Sequence, residues 1–126
     1  MTDELGTEQA SDPRLMRALQ DLLDHGAAVP RLVARGRSAY DADEMLQAAA
    51  EALLLRAGES VVRIDRAAPD FIRLHPELRL RNLKDARNVV AHGYDIVDTG
   101  TLWEILEVHL PLVIDGVRDL LDRQGL

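Results

Sequence analysis

From Asp41 to about Ala67 the chain carries one long helical period, through Met45, Leu46, Ala49, Leu53, Ala57, Val61 and Ile64, with no proline to interrupt it. Asp41 followed by Glu44 has the spacing of a capping box and opens this helix, which the pattern makes the central core helix. Between Ala48 and Leu55 the segment is apolar nearly all round. A helix tolerates that only where several neighbours, or a second subunit, cover it. Gly58 lies inside the same helix, where glycine costs roughly 1 kcal/mol relative to alanine, so close approach of a neighbouring backbone is expected there. Glu59 beside it is either a solvated side chain or the partner of an arginine from later in the chain.

The rest of the chain has to be laid against that helix, and its length of 126 residues suits one domain with a single core. Apolar residues make up 47% of the sequence but aromatics only 3%, so the core is built from Leu, Val, Ile and Ala, which favours packed helices over a sheet. The expected class is all-α. The absence of cysteine excludes disulfides, thiolate metal sites and a thiol nucleophile. Residues 1–11 are polar and acidic and read as a disordered tail, lacking the basic start and apolar run of a signal peptide. With no apolar stretch of about 18 residues, a cytoplasmic location is expected.

Other helices follow from the same signals. Asp12-Pro13 is a helix start, and Leu15, Leu19, Leu22 and Leu23 form a stripe ending near His25-Gly26. Pro30 and Gly36 interrupt a weaker pattern up to Tyr40, predicting one short helical piece between loops. Pro69 ends the central helix, Phe71, Ile72 and Leu74 pack as a connector, and residues 75–82 form a loop. Leu83 to Ala91 is the next helix, with Leu83, Ala86 and Val90 inward and Gly93 as its stop. Thr101 with Glu104 makes a second capping box, and Pro111 is expected to kink the helix it opens. The resulting architecture is a single bundle of about four main helices over residues 12–126.

The formal charge of -7 argues against a protein that coats nucleic acid along its whole surface. Its distribution is uneven. Five arginines face ten acids from Met1 to Leu55, eight basic residues face five acids from Arg56 to His92, and two face seven from Gly93 onward. The only net-positive third contains the stretch His75 to Tyr94, with Arg79, Arg81, Lys84 and Arg87. Arg79, Arg81 and Lys84 are accordingly the candidate contacts for an anion, and for RNA if a phosphodiester strand is the substrate. Asn88 and His92 lie four apart and share a helix face, Arg87 is one step round, and Tyr94 follows after a glycine. A histidine, a forked cation and a phenol suit a phosphodiester substrate, with His92 as base or acid and Arg87 as phosphate clamp. One histidine is thin for both proton transfers, which points to a two-subunit site or to help from Tyr94 or water. Asp85, Asp95 and Asp98 make no recognisable carboxylate cluster, and no zinc-ligand spacing occurs, so no metal and no cofactor are expected. On spacing alone, a capping histidine and a surface arginine are the simpler account.

The run Arg87-Asn88-Val-Val-Ala-His92-Gly-Tyr94 nevertheless resembles the Arg-Asn-x3-His-x-Tyr signature of the HEPN superfamily, and specifically its HepT-like branch. Support comes from Gly58-Glu59 in a long helix before it, from His75-Pro76-Glu77, and from a helix with Trp103 and Leu110-Pro111 after it. The resemblance covers roughly residues 41–122. It implies a HEPN-like homodimer and a metal-independent endoribonuclease toxin of a bacterial type VII toxin-antitoxin pair, whose antitoxin is a minimal nucleotidyltransferase (MNT). It further implies that Arg87 and His92 are catalytic, that Asn88 orients His92, and that Tyr94 accepts AMP from the partner, which silences cleavage. The alternative from a different class is a non-catalytic HEPN module that binds a nucleotide or its nucleotidyltransferase.

Overall fold

Every element in the computed structural model, which describes residues 12–91 and 98–125, is helical. The segment expected as a tail, residues 1–11, lies outside the described residues. Helix α1, Pro13–Gly26, starts as its sequence requires: Asp12 is extended and its Oδ1 accepts a hydrogen bond from the Arg14 N–H at 2.9 Å. Leu15, Leu19 and Leu22 are fully buried along one stripe. Two short helices follow where one was expected, α2 (Val29–Val33) and α3 (Arg37–Asp41). Gly36 separates them at φ 88°, a conformation open to glycine without a steric cost.

Helix α4, Glu44–Ala67, is the axis of the bundle and packs along α1 on one side and α6 on another. Its N-cap is Asp43, not Asp41. Asp43 is extended and accepts from the Met45 N–H at 2.8 Å, whereas Asp41 still belongs to α3 and takes the Arg37 guanidinium at 2.9 Å. A cap must be the extended residue directly before the first helical one, and spacing to Glu44 does not select it. The buried stripe runs through Ala50, Leu54, Ala57, Val61 and Ile64. Met45 and Ala49, expected inward, are exposed, Met45 at 78%. Where a helix is apolar nearly all round, periodicity fixes its phase weakly, and the neighbours choose which face is buried.

After α4 a one-turn helix α5, Phe71–Leu74, buries Phe71 and Ile72 while Leu74 stays exposed rather than packing. A 3₁₀ turn over Pro76–Leu78 ends at Arg79, which adopts the left-handed conformation at φ 59°, ψ 27°. That reversal lets α6, Leu80–Ala91, begin three residues earlier than its hydrophobic pattern indicates, so the expected loop over 75–82 is half helical. Leu80 and Leu83, three apart on one face, are both buried.

The chain is next described at Asp98, which caps α7, Thr99–Glu104, by accepting from the N–H groups of Gly100 (2.9 Å) and Thr101 (3.2 Å). Thr101 was the expected cap; its hydroxyl instead donates to Asp98 Oδ2 at 3.0 Å. A π-helical turn, Ile105–His109, then passes into α8, Leu110–Arg123. Proline has no N–H to give to the preceding turn, and here the ladder widens ahead of Pro111, with the Leu110 N–H donating to the Ile105 carbonyl five residues back. Among the described residues no helix is long and apolar enough to cross a membrane.

Candidate active site on helix α6

Helix α6 carries the first half of the basic signature and is pressed against α4 at a single glycine. A Cβ placed on Gly58 would overlap Cβ and Cγ of Arg87 and lie 3.5 Å from its Cα. The side chain of Arg87 therefore crosses α4 where only a hydrogen fits. From there its guanidinium is held twice: Nη2 donates to Glu59 Oε2 at 2.8 Å, and Nη1 donates to Asn88 Oδ1 at 3.1 Å. Glu59 is the partner of an arginine, as one of the two sequence readings had it. Arg87 is 26% exposed and Glu59 46%, so the pair faces solvent at the α4–α6 seam. A guanidinium has five N–H donors, and this arrangement leaves several free for an anion arriving from outside.

Of the other candidate residues, Lys84 donates to Asp65 Oδ2 at 3.0 Å, so its charge is partly engaged by α4. Arg79 and Arg81 are exposed and, among the described residues, form no ion pair. His92, Gly93, Tyr94 and Asp95 lie outside the described residues. The structure thus brings Arg87 and Asn88 together with Glu59, aligns Arg81, Lys84 and Asn88 along one side of α6, and leaves the two remaining signature side chains undescribed. Arg81, Lys84 and Asn88 line a shared hollow of about 310 Å³ together with Asp65 and Asp85. No group of three His, Cys, Asp or Glu able to hold a metal ion occurs among the described residues.

The chain is fastened on both sides of the signature. Before it, His75 is buried against Phe71, ring centroids 4.5 Å apart, with Nδ1 3.2 Å from Glu77 Oε1 and Nε2 lacking a hydrogen-bond partner. It is a packed residue of the α5–α6 connection rather than a lining residue of either hollow at the start of α6. After the signature, the buried Tyr40 donates its hydroxyl to the Thr99 carbonyl at 2.7 Å and packs its ring, tilted by 45°, against Trp103 with centroids 5.0 Å apart. Burial raises the pKa of this phenol above the ordinary 10.0, so it remains a donor at physiological pH. Nothing local in the sequence pairs Tyr40 with Thr99, 59 residues apart.

Two hollows at the start of α6 were not anticipated. One, about 260 Å³, lies between α6 and α8 over Leu83, Ala86 and Leu110, with Arg79, Asn82 and His109 among its lining residues. The other, about 320 Å³, is lined by Arg73, Arg79, Arg81 and Asn82 with Ile72 and Pro76. That Asn82, Leu83 and Ala86 share one side of a helix becomes visible only once α6 is known to start at Leu80.

A family model described as Ribonuclease HepT-like matches residues 16–120 of the chain. Comparison with curated proteins and with solved structures gives no significant match.

Proposed function

The chain belongs to the HepT-like ribonuclease family, and from that premise we propose that it is a metal-independent endoribonuclease toxin of a type VII pair, silenced by an MNT antitoxin. The observation that supports this most is the Arg87 guanidinium, set over Gly58 and oriented by Glu59 and Asn88 with donors to spare. Cleavage of RNA by attack of its own 2′-hydroxyl needs three things: a base for that proton, an acid for the departing 5′ oxygen, and positive charge for the phosphorane between them. Arg87 meets the last need. A preoriented guanidinium stabilises developing charge without reorganising during the reaction.

In this reading His92, four residues after Asn88 in the sequence, transfers the proton, and a second His92 from a homodimer partner completes the acid-base pair. The Asn88 carbonyl holds Arg87, so Asn88 serves the clamp as well as any role in orienting His92. Arg79, Arg81 and Lys84 contact the RNA strand. Tyr94 is the acceptor of AMP from the antitoxin: an added phosphodiester places negative charge and bulk near Arg87 and competes with RNA.

The test is cleavage of RNA in EDTA by the native chain and by His92→Ala and Arg87→Ala, matched for folding by circular dichroism. A positioned proton-transfer group is worth about 10²- to 10⁴-fold, and losses of that size with the fold intact are expected for His92→Ala. Equal activity in all three proteins, or none in any across several RNAs, overturns the nuclease reading.

A further inference from the structure

The hollow lined by Arg73, Arg79 and Arg81 shares two of its residues, Arg79 and Asn82, with the apolar slot between α6 and α8. The two differ in chemistry. No carboxylate lines the arginine hollow, in contrast to the hollow beside Asn88, which includes Asp65 and Asp85. Arg79, Arg81 and Asn82 have no side-chain hydrogen bond or ion pair among the described residues. Arg73 pairs with Asp70 at 3.3 Å, but both side chains are about two-thirds exposed, so water screens the pair and leaves the guanidinium able to turn. The slot next door is floored by Leu83, Ala86, Ile105, Leu110 and Val113. Its volume of about 260 Å³ is small for a drug-sized ligand and suits a flat ring system.

We propose that these two hollows form a nucleotide subsite, in which the arginines take a phosphate, the apolar slot takes the base, and Asn82 between them hydrogen-bonds the base edge. Charge decides the phosphate half: three guanidiniums with no lining acid attract an anion in a protein whose net charge is -7. Shape and polarity decide the base half, because an apolar floor with Asn82, Arg79 and His109 as its polar lining fits a ring with a polar rim. The backbone adds a further sign. Arg79 is the only non-glycine residue with positive φ among the described residues, and it lines both hollows. Glycine would adopt this left-handed conformation without the strain that an arginine bears there.

The nucleotide comes from one of two sources, a free mononucleotide or a residue of the RNA strand. Arg81 lines both the arginine hollow and the hollow that reaches Asn88. Arg81 and Asn88 lie seven residues apart on α6, an axial rise of about 10 Å, so one strand along the helix can meet both. For the RNA source the inference rests on the ribonuclease reading and deepens it: the subsite holds a nucleotide flanking the cut and reads its base. The free-nucleotide source does not depend on cleavage.

The experiment is titration of the full chain with the four nucleoside 5′-monophosphates, with inorganic phosphate, and with a fluorescent single-stranded RNA hexamer, repeated on Arg79→Gly and Asn82→Ala. Arg79→Gly relieves the backbone, so its melting temperature is expected to hold or rise while nucleotide affinity falls about tenfold, the worth of one charge-assisted contact. Asn82→Ala is expected to erase base preference and leave phosphate affinity in place. A hexamer that binds far more tightly than any monophosphate identifies the RNA strand as the source; equal affinity identifies a free nucleotide. The proposal is overturned by no saturable binding to the native chain, by inorganic phosphate competing as well as every nucleotide, or by affinities unchanged in both variants. Assaying RNA cleavage by the native chain alongside the titration separates the two readings: nucleotide binding with no cleavage sustains the subsite alone, and cleavage with no nucleotide binding sustains only the nuclease.

Discussion

Gly58 and Arg87 occupy the same space at the crossing of α4 and α6: a Cβ on the glycine would overlap the first two side-chain carbons of the arginine. The proposed phosphate clamp is therefore not placed by its own helix alone. It is set by a missing methyl group on another helix, 29 positions earlier in the chain, with Glu59 next to that gap supplying the carboxylate that aims it.

Gly58→Ala should separate two opposing effects. Alanine gains about 1 kcal/mol of helix propensity over glycine, but the new methyl must push α6 away, and overpacking of this kind costs about 1–3 kcal/mol. Net destabilisation is expected in urea unfolding, accompanied by loss of RNA cleavage even where the protein remains folded. A stable and fully active Gly58→Ala protein would show that the close crossing has no bearing on the clamp.

Glu59→Ala removes the carboxylate and leaves Arg87 with Asn88 as its one partner. Because the pair is partly exposed, the stability change should stay below about 1 kcal/mol. Cleavage should fall about tenfold through kcat, since a guanidinium free to wander must be reoriented at each turnover. Glu59→Gln, which retains an acceptor, should recover part of that loss. A change confined to KM would instead assign Glu59 to substrate attraction or repulsion.

Acid should loosen α7 through Asp98. The backbone N–H of Thr101, then its hydroxyl and the N–H of Gly100, stabilise the carboxylate and lower its pKa below the ordinary 3.8. A carboxylate with a depressed folded pKa contributes stability above its unfolded pKa and loses it as pH falls through the folded value. The contribution is complete at neutral pH and disappears below pH 3.8. Asp98→Ala should lower the melting temperature at pH 7, and the difference from the native protein should shrink on acidification below that point. A difference that persisted at low pH would mean the cap acts without its charge.

Salt should weaken RNA binding only gently. A cleft built on Arg87 and its neighbours neutralises about two or three phosphates, and single strands give a slope near 0.7 for each, so log K against log salt should fall with a slope of about 1.4 to 2.1. Filter binding of a single-stranded RNA between low and moderate salt measures it. A much steeper slope would require an extended basic surface, at odds with the acidic segments that flank the stretch.

The helical class, the long central helix and the start at Asp12 were legible in the sequence because each depends on interactions within a few residues: helical period, caps, prolines and glycines. The likeness to HepT-like proteins rested on a resemblance in the run of residues itself, and the family match over residues 16–120 agrees with it. What the sequence left open was whatever needed a second element. Local spacing pointed to Asp41 as the cap of α4, whereas Asp41 belongs to α3 and the cap is Asp43. Along α4 the nearly all-round apolar run allowed more than one phase, and packing against α1 and α6 chose the one that buries Ala50 and Leu54 and exposes Met45.

The functional geometry divides along the same line. That Gly58 needs a close neighbour and that Glu59 can serve an arginine are properties of one helix, and the chain states them by itself. Which arginine, which seam, and the slot between α6 and α8 exist only once α6 lies against α4 and α8, because they are made of distances between side chains far apart in sequence; the arginine hollow instead needs the reversal at Arg79 to bring Arg73 and Arg81 to one place. A helix settles its own caps and faces by local hydrogen bonds and periodicity. Which of its faces meets which neighbour is decided by the packing of the whole bundle.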